Sequence, residues 1–193
     1  RGGPGLGTIQ PSQGDYFQST KGGGHGDYHL IVLAPSSVQE MADFVNLGWE
    51  LSFKYRMGVM ILSDGAIGQM MEKVELEEQK PRSKEIPEWA TVGKPAHRER
   101  NILTSLYIQP EEMYEVNKKL AAKYKEVEKN EIRVEKMLCE ECDYLIVAYG
   151  LSARISQKAA QLAREKGKKV GVIRPITLWP FPYDYIDKVA DHV

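Results

Sequence analysis

The sequence predicts an α/β protein made of two α/β pieces joined by a connection, and three observations carry that expectation. Short, mostly apolar runs recur at residues 29–33 (HLIVL), 59–62 (VMIL), 143–149 (DYLIVAY) and 169–173 (KVGVI). Segments of helical periodicity separate the members of each pair. Strand, helix and strand in succession, with strands apolar throughout, is the pattern of a parallel sheet covered on both faces.

The elements follow in order. Residues 1–28 read as loop, because nine of the chain's 17 glycines fall in the first 26 residues. Glycine costs conformational entropy, so such a cluster implies sharp turns or close approach to a ligand or another chain. The strand at 29–33 ends at Ala34-Pro35, Ser36 or Ser37 then caps a helix, and Ser37 with Glu40 has capping-box spacing for that helix over 37–56. Val38, Met41, Val45, Trp49, Ser52 and Tyr55 share its helical period and are expected to be its buried face. A second strand ends at Ser63-Asp64-Gly65. Residues 72–110, interrupted by four prolines, read as a surface connection pinned by Trp89 and Tyr107. Met113, Leu120, Val127 and Val134 recur every seven residues, which predicts one long amphipathic helix over 111–138. The second α/β piece has a strand at 143–149, a turn at Gly150, a helix over 153–166 capped by Ser152 and ended by Gly167, and a strand at 169–173. Residues 174–182 lead away from that strand, and Pro182 opens a last helix.

Composition narrows the function. The net charge of -1 gives no electrostatic case for nucleic acid or an anionic membrane. The apolar runs are too short to span a bilayer, and no signal-peptide pattern is present, so a cytoplasmic protein is expected. The chain lacks an initiator methionine and starts inside a loop motif, as a piece of a longer protein would.

Several residues are candidates for chemistry. Arg1 precedes a Gly-Gly-Pro turn, where its guanidinium could clamp a carboxylate or phosphate. His25 and Asp27 sit in a second glycine loop, either as solvated residues or as a site with the acid fixing the histidine tautomer. Asp64 either meets a ligand at the end of a parallel strand or caps the following turn. The Gly150-Leu151-Ser152 turn is an ordinary strand-to-helix turn or a phosphate cradle, but it is neither G-x-G-x-x-G nor a P-loop. Cys139 and Cys142 form a CxxC with no second ligand pair, so no zinc site is expected. Placed at the end of a helix and among acids, they read as incidental thiols of raised pKa in a reducing compartment.

The segments RGGPGLGTIQPSQGDYFQSTKGGGHGD, LIVLAPSSVQEMADF, VMILSDGAIGQMMEKVEL, YLIVAYGLSARISQKA and VGVIRPITLWPFP together resemble the α subunit of 2-oxoacid:ferredoxin oxidoreductases. The resemblance is greatest to the branched-chain, 2-oxoisovalerate type. It implies the C-terminal half of a thiamine-diphosphate pyrimidine-type domain at 1–72, a linker with a long helix at 73–142, and the start of a transketolase C-terminal-like domain at 143–193. It implies oxidative decarboxylation of a 2-oxoacid to acyl-CoA and CO₂, with coenzyme A as co-substrate and electrons passing to ferredoxin. A β subunit would hold thiamine diphosphate, Mg²⁺ and a 4Fe–4S cluster, with γ and δ subunits completing the assembly. The family's R-G-G-P arginine, implicated in holding the substrate carboxylate, matches Arg1. Gly2, Gly3 and Leu6 would line the same substrate site, and His25 and Asp27 are the candidates for cofactor contact. Many family members read R-G-G-P-S-T-G, whereas Gly5-Leu6 stand here in place of the Ser-Thr pair. Losing hydrogen bonds to a charged group costs about 1.5–3 kcal/mol, so an apolar substrate side chain is expected rather than the second carboxylate of 2-oxoglutarate. Pyruvate or 2-oxoglutarate as substrate is the alternative within the family. A non-catalytic phosphate-binding or structural subunit is the alternative outside it.

Overall fold

The computed structural model describes residues 2–8, 10–76 and 85–193. They fall into two compact units, Arg1–Leu76 with Lys123–Val193, and Glu77–Ala122. In chain order the elements are α1 (Tyr16–Thr20), β1 (Ile31–Leu33), α2 (Val38–Tyr55), β2 (Val59–Ile61), α3 (Pro110–Asn130), β3 (Val134–Met137), β4 (Tyr144–Val147), α4 (Gly150–Glu165), β5 (Val170–Pro175), β6 (Thr177–Trp179) and α5 (Tyr183–Ala190).

The first unit holds two three-stranded sheets, ordered β2-β1-β6 and β3-β5-β4. β1 and β2 are parallel, with Ile31 opposite Val59 and Leu33 opposite Ile61. β4 and β5 are likewise parallel. Both parallel pairs are those expected from the apolar runs. All of β1 is fully buried, which is why it shows no polar alternation. Each such aliphatic side chain contributes roughly 1.5–3 kcal/mol on burial.

Each sheet gains an antiparallel strand that the sequence reading did not contain. Residues 174–182 do not simply leave the sheet. β5 runs on to Pro175, and β6 then pairs with β1, Leu33 facing Thr177. Leu178 and Trp179 thereby join the core of β1, Phe44, Leu51, Tyr55 and Val127. The prolines at 175, 180 and 182 hide this strand locally, and its partner lies over 140 residues away in sequence. His29 stacks on Trp179 with ring centroids 4.5 Å apart, and Tyr124 meets both rings edge-on.

The predicted helix over 111–138 is also corrected. α3 stops at Asn130, and Val134, expected on its heptad row, begins β3. β3 pairs antiparallel with β5, Val134 opposite Pro175 and Met137 opposite Val172. Ile132 and Val134 are β-branched and stiff, so they lose little by leaving the helix. Arg133 N–H donates to the buried Thr177 hydroxyl at 2.9 Å, while Ile176 N–H donates to the Arg133 carbonyl at 3.0 Å. These tertiary bonds replace the helical ladder.

The α2 period is right and Tyr55 is buried as expected, but at three turns the buried residue is the one before that expected. Phe44, Gly48, Leu51 and Tyr55 are buried, while Val45 and Trp49 are 48% and 64% exposed. Two apolar rows lie side by side on this helix, and periodicity alone does not choose between them. Ser37 caps the helix as expected, its hydroxyl accepting from Glu40 N–H at 3.2 Å. The Glu40 carboxylate reaches one residue further back, to Ser36 N–H at 2.7 Å, and also pairs with the buried Arg174. Arg174 holds Glu135 as well, at 2.7 Å.

Cys139 and Cys142 follow β3 rather than ending a helix, and both are free thiols. Burial, not the neighbouring acids, is the main cause raising the Cys139 pKa, with Cys142 adding to it. The Cys139 thiol donates to the Val172 carbonyl at 3.2 Å. The turn presses on Gly171: a Cβ there would stand 2.9 Å from Cys142 Sγ and 3.0 Å from the Leu138 carbonyl oxygen. Gly171→Ala is therefore expected to cost about 1–3 kcal/mol. A denaturation midpoint that does not move would show that this turn yields freely.

In the second unit, residues 85–109 have no regular secondary structure. Asn101 Nδ2 donates to the Glu88 and Ala90 carbonyls at 2.6 and 3.0 Å, and Arg98 pairs with Glu88 at 3.2 Å. Trp89 is 36% exposed. Among the described residues no helix is long and apolar enough to cross a membrane.

Candidate functional site

The first glycine loop is a closed ring of backbone. Gly2 N–H donates to the Thr8 carbonyl at 3.2 Å, and Thr8 N–H returns to the Gly2 carbonyl at 2.9 Å. Closing so tight a ring needs left-handed backbone, supplied by Gly3, Gly5 and Gly7 with φ of 82°, 65° and 62°. Gly7 admits nothing larger, because a Cβ would lie 2.3 Å from the Gly2 carbonyl oxygen. Leu6 stands 94% exposed on the ring.

The ring rests on the segment that follows it. Ser12 lies against Gly2: a Cβ on that glycine would meet Ser12 Cβ and Oγ at 3.4 and 3.5 Å. Gln13 Nε2 donates to the Tyr149 carbonyl at 2.8 Å. Tyr16 packs its ring on Tyr149 with centroids 5.9 Å apart. Residues 12–16, the end of β2 and the turn into α4 thus enclose a small hollow lined by Ser12, Asp15, Tyr16, Asp64 and Tyr149. It lies beyond the carboxyl ends of parallel strands, where open α/β sheets bind ligands.

Asp64 organises this corner. One carboxylate oxygen accepts from Ala66 and Ile67 N–H at 2.9 and 3.0 Å, and the other from Leu151 N–H at 3.3 Å. It therefore caps the turn after β2 and also places negative charge on the N-terminus of α4. One amide of the first turn of α4, that of Leu151, is thereby bonded to an internal carboxylate. Ser152 does not cap this helix; α4 begins at Gly150, after Tyr149 at the cap. Burial first, then the charges of Tyr16, Asp15 and Asp64, push the Tyr149 phenol up to about 12. It stays protonated at any physiological pH.

Of the residues singled out in the sequence, Arg1 lies outside the described residues. Gly2 and Gly3 belong to the ring with Leu6. His25 and Asp27 are exposed on the second loop, whose Gly22 and Gly26 have φ of 99° and 87°. The sequence reading missed Ser12, Gln13 and Tyr149. Ser12 and Gln13 stand in one of the quoted segments and Tyr149 in another, and what unites them is a contact across 136 positions.

Comparison with known proteins bears on this arrangement. Residues 1–136 match the family described as pyruvate flavodoxin/ferredoxin oxidoreductase, thiamine diphosphate-binding. Residues 142–193 match the pyruvate:ferredoxin oxidoreductase core domain II. The ketoisovalerate oxidoreductase subunit VorB of Methanothermobacter thermautotrophicus is 46% identical over 99% of this chain and 54% of its own length. The 2-oxoglutarate synthase subunit KorA of Methanocaldococcus jannaschii is 36% identical, over 98% of this chain and 57% of its own. A solved 2-oxoglutarate:ferredoxin oxidoreductase from Magnetococcus marinus, with 2-oxoglutarate, coenzyme A and succinyl-CoA bound, superposes with a TM-score of 0.78 at 25% identity, covering 100% of this chain and 38% of that one. The chain spans about half the length of the curated relatives it matches. The mixed α/β architecture and these matches over both parts of the sequence agree: the chain belongs to the pyruvate flavodoxin/ferredoxin oxidoreductase family, and carries sequence of its thiamine diphosphate-binding domain followed by sequence of its core domain II.

Proposed function

We propose that this chain is part of the α-type subunit of a 2-oxoacid:ferredoxin oxidoreductase acting on a branched-chain 2-oxoacid such as 2-oxoisovalerate. The observation that carries the substrate is the glycine ring. An exposed leucine stands at position 6, where the 2-oxoglutarate-type motif has a hydroxyl. The identity to the ketoisovalerate subunit, 46%, against 36% to the 2-oxoglutarate subunit, supports the same choice. Arg1 would pair with the carboxylate of the acid through two parallel hydrogen bonds. Leu6 would pack against its branched side chain.

The decarboxylation chemistry is that of thiamine diphosphate, and this chain's share is to bind and orient the acid. Among the described residues no three His, Cys, Asp or Glu side chains form a cluster that could hold a metal ion. In this reading Mg²⁺, the diphosphate and a 4Fe–4S cluster are held by a β subunit. Coenzyme A, ferredoxin and the γ and δ subunits complete the cytoplasmic assembly in this reading. His25 and Asp27 remain the cofactor-facing candidates. The assignments 1–72, 73–142 and 143–193 to half-domain, linker and second domain belong to the same proposal.

Arg1→Ala in the assembled complex is expected to leave assembly intact and lower kcat/KM for 2-oxoisovalerate by about 10- to 100-fold, the worth of a charged hydrogen bond. Lost assembly would instead assign Arg1 a structural role. Steady-state kinetics in which 2-oxoglutarate is preferred over 2-oxoisovalerate would overturn the substrate choice.

A further inference from the structure

We propose that Gln13 is a positioning residue: it latches the glycine ring of Gly2–Thr8 to the turn between β4 and α4, so that the second domain sets where the ring stands. The path is continuous. The Tyr149 carbonyl accepts from Gln13 Nε2 at 2.8 Å. Ser12, next in the chain, lies against Gly2, and Gly2 closes the ring through its two hydrogen bonds with Thr8.

The receiving turn is itself held. Gly150 has φ of 57°, a left-handed start to α4. A Cβ there would meet Gln13 Nε2 at 3.5 Å and Asp64 Oδ2 at 3.6 Å. A Cβ would thus make only ordinary contacts, so it is the left-handed φ that calls for glycine at 150, and the Leu151–Asp64 bond fixes the turn to the end of β2. Tyr16 on Tyr149 closes the other side. The turn that sequence alone offers as a phosphate cradle is, in this arrangement, an anchor for the ring. Its amide goes to Asp64, and its preceding carbonyl goes to Gln13.

The functional consequence rests on the reading of the ring as the substrate-carboxylate site. Gln13 touches no reacting atom. It would act by fixing the backbone that carries Arg1, and through it the affinity for the acid.

The test uses the assembled complex with Gln13→Ala and with Gln13→Glu, which keeps the shape but removes the donor. Both are expected to raise hydrogen exchange at the Gly2 and Thr8 amides by about tenfold, the worth of one hydrogen bond. The KM for 2-oxoisovalerate should rise by a similar factor, with kcat and the unfolding midpoint little changed. Unchanged exchange in both variants would overturn the latch. Raised exchange with an unchanged KM would keep the latch and overturn the substrate role of the ring, so the two ideas fail separately. A Gln13→Glu variant that behaves as wild type would also overturn the proposal, since it would show that packing rather than the donated hydrogen bond holds the ring.

Discussion

Replacing Glu131 with alanine is expected to cost the fold about 3 kcal/mol, close to the lower end of what breaking a buried ion pair costs. Glu131 is 3% exposed. Its carboxylate accepts from Lys54 Nζ at 2.7 Å, from the buried Tyr55 hydroxyl at 2.5 Å and from Arg133 Nη1 at 2.8 Å. Lys54 and Arg133 can turn to water when the carboxylate goes, but the Tyr55 hydroxyl is left buried with an unmet donor. Urea unfolding followed by circular dichroism reads the loss, and a change under about 1 kcal/mol would show that the cluster is dispensable.

The same cluster sets an acid limit. Burial pushes the Glu131 carboxyl up, but the hydrogen bonds from Lys54, Tyr55 and Arg133 outweigh it and hold the group at about 2, against an ordinary value of 4.5. Between those values the unfolded chain binds the extra proton and the folded chain does not, so stability rises with pH there. The contribution, about 3 kcal/mol from the size of the shift, is complete above pH 4.5 and lost as pH falls through 2. Glu131→Gln should abolish this component. The stability gap between wild type and variant should therefore close on acidification, and a gap that stays constant from pH 5 to pH 2 would contradict the assignment.

Gly7→Ala is expected to lower turnover of the assembled enzyme by at least about 100-fold, the usual consequence of moving a positioning group by 1 Å. Two effects coincide at this residue. Its φ of 62° is costly for any side chain. The added methyl would also sit 2.3 Å from the Gly2 carbonyl oxygen, a backbone atom with no rotamer to escape into. The ring must open, and Arg1 is one residue from the bridge that breaks. By contrast, a Cβ at Gly3 or Gly5 meets nothing within 4 Å. Gly5→Ala, with only the conformational cost, should lose markedly less activity. Equal losses at 5 and 7 would sink the closed-ring account.

How much of this was legible in the sequence differs from residue to residue. The parallel pairs β1–β2 and β4–β5 were, because wholly buried strands announce themselves as apolar runs. The Ser37 cap and the Gly167 stop were, because capping is chemistry between near neighbours. The family was, through motifs spread over most of the chain. The phase of α2 was not, because two adjacent apolar rows carry the same period and only the sheet beneath selects Phe44 and Leu51. The end of α3 was not, because Val134 fits the heptad as well as it fits β3.

What the sequence by itself determined is local: the α/β class, the Ser37 cap and the Gly167 stop, and a glycine-rich loop beside Arg1. What only the tertiary structure decided is long-range: β6 completing the sheet of β1, Asp64 bonded to the start of α4, and Gln13 reaching Tyr149. Local signals survive in sequence because backbone sterics and capping act within a few residues. A hydrogen bond between positions 13 and 149 leaves no mark on its neighbours, since the only thing that brings its two ends together is the packing of the whole core.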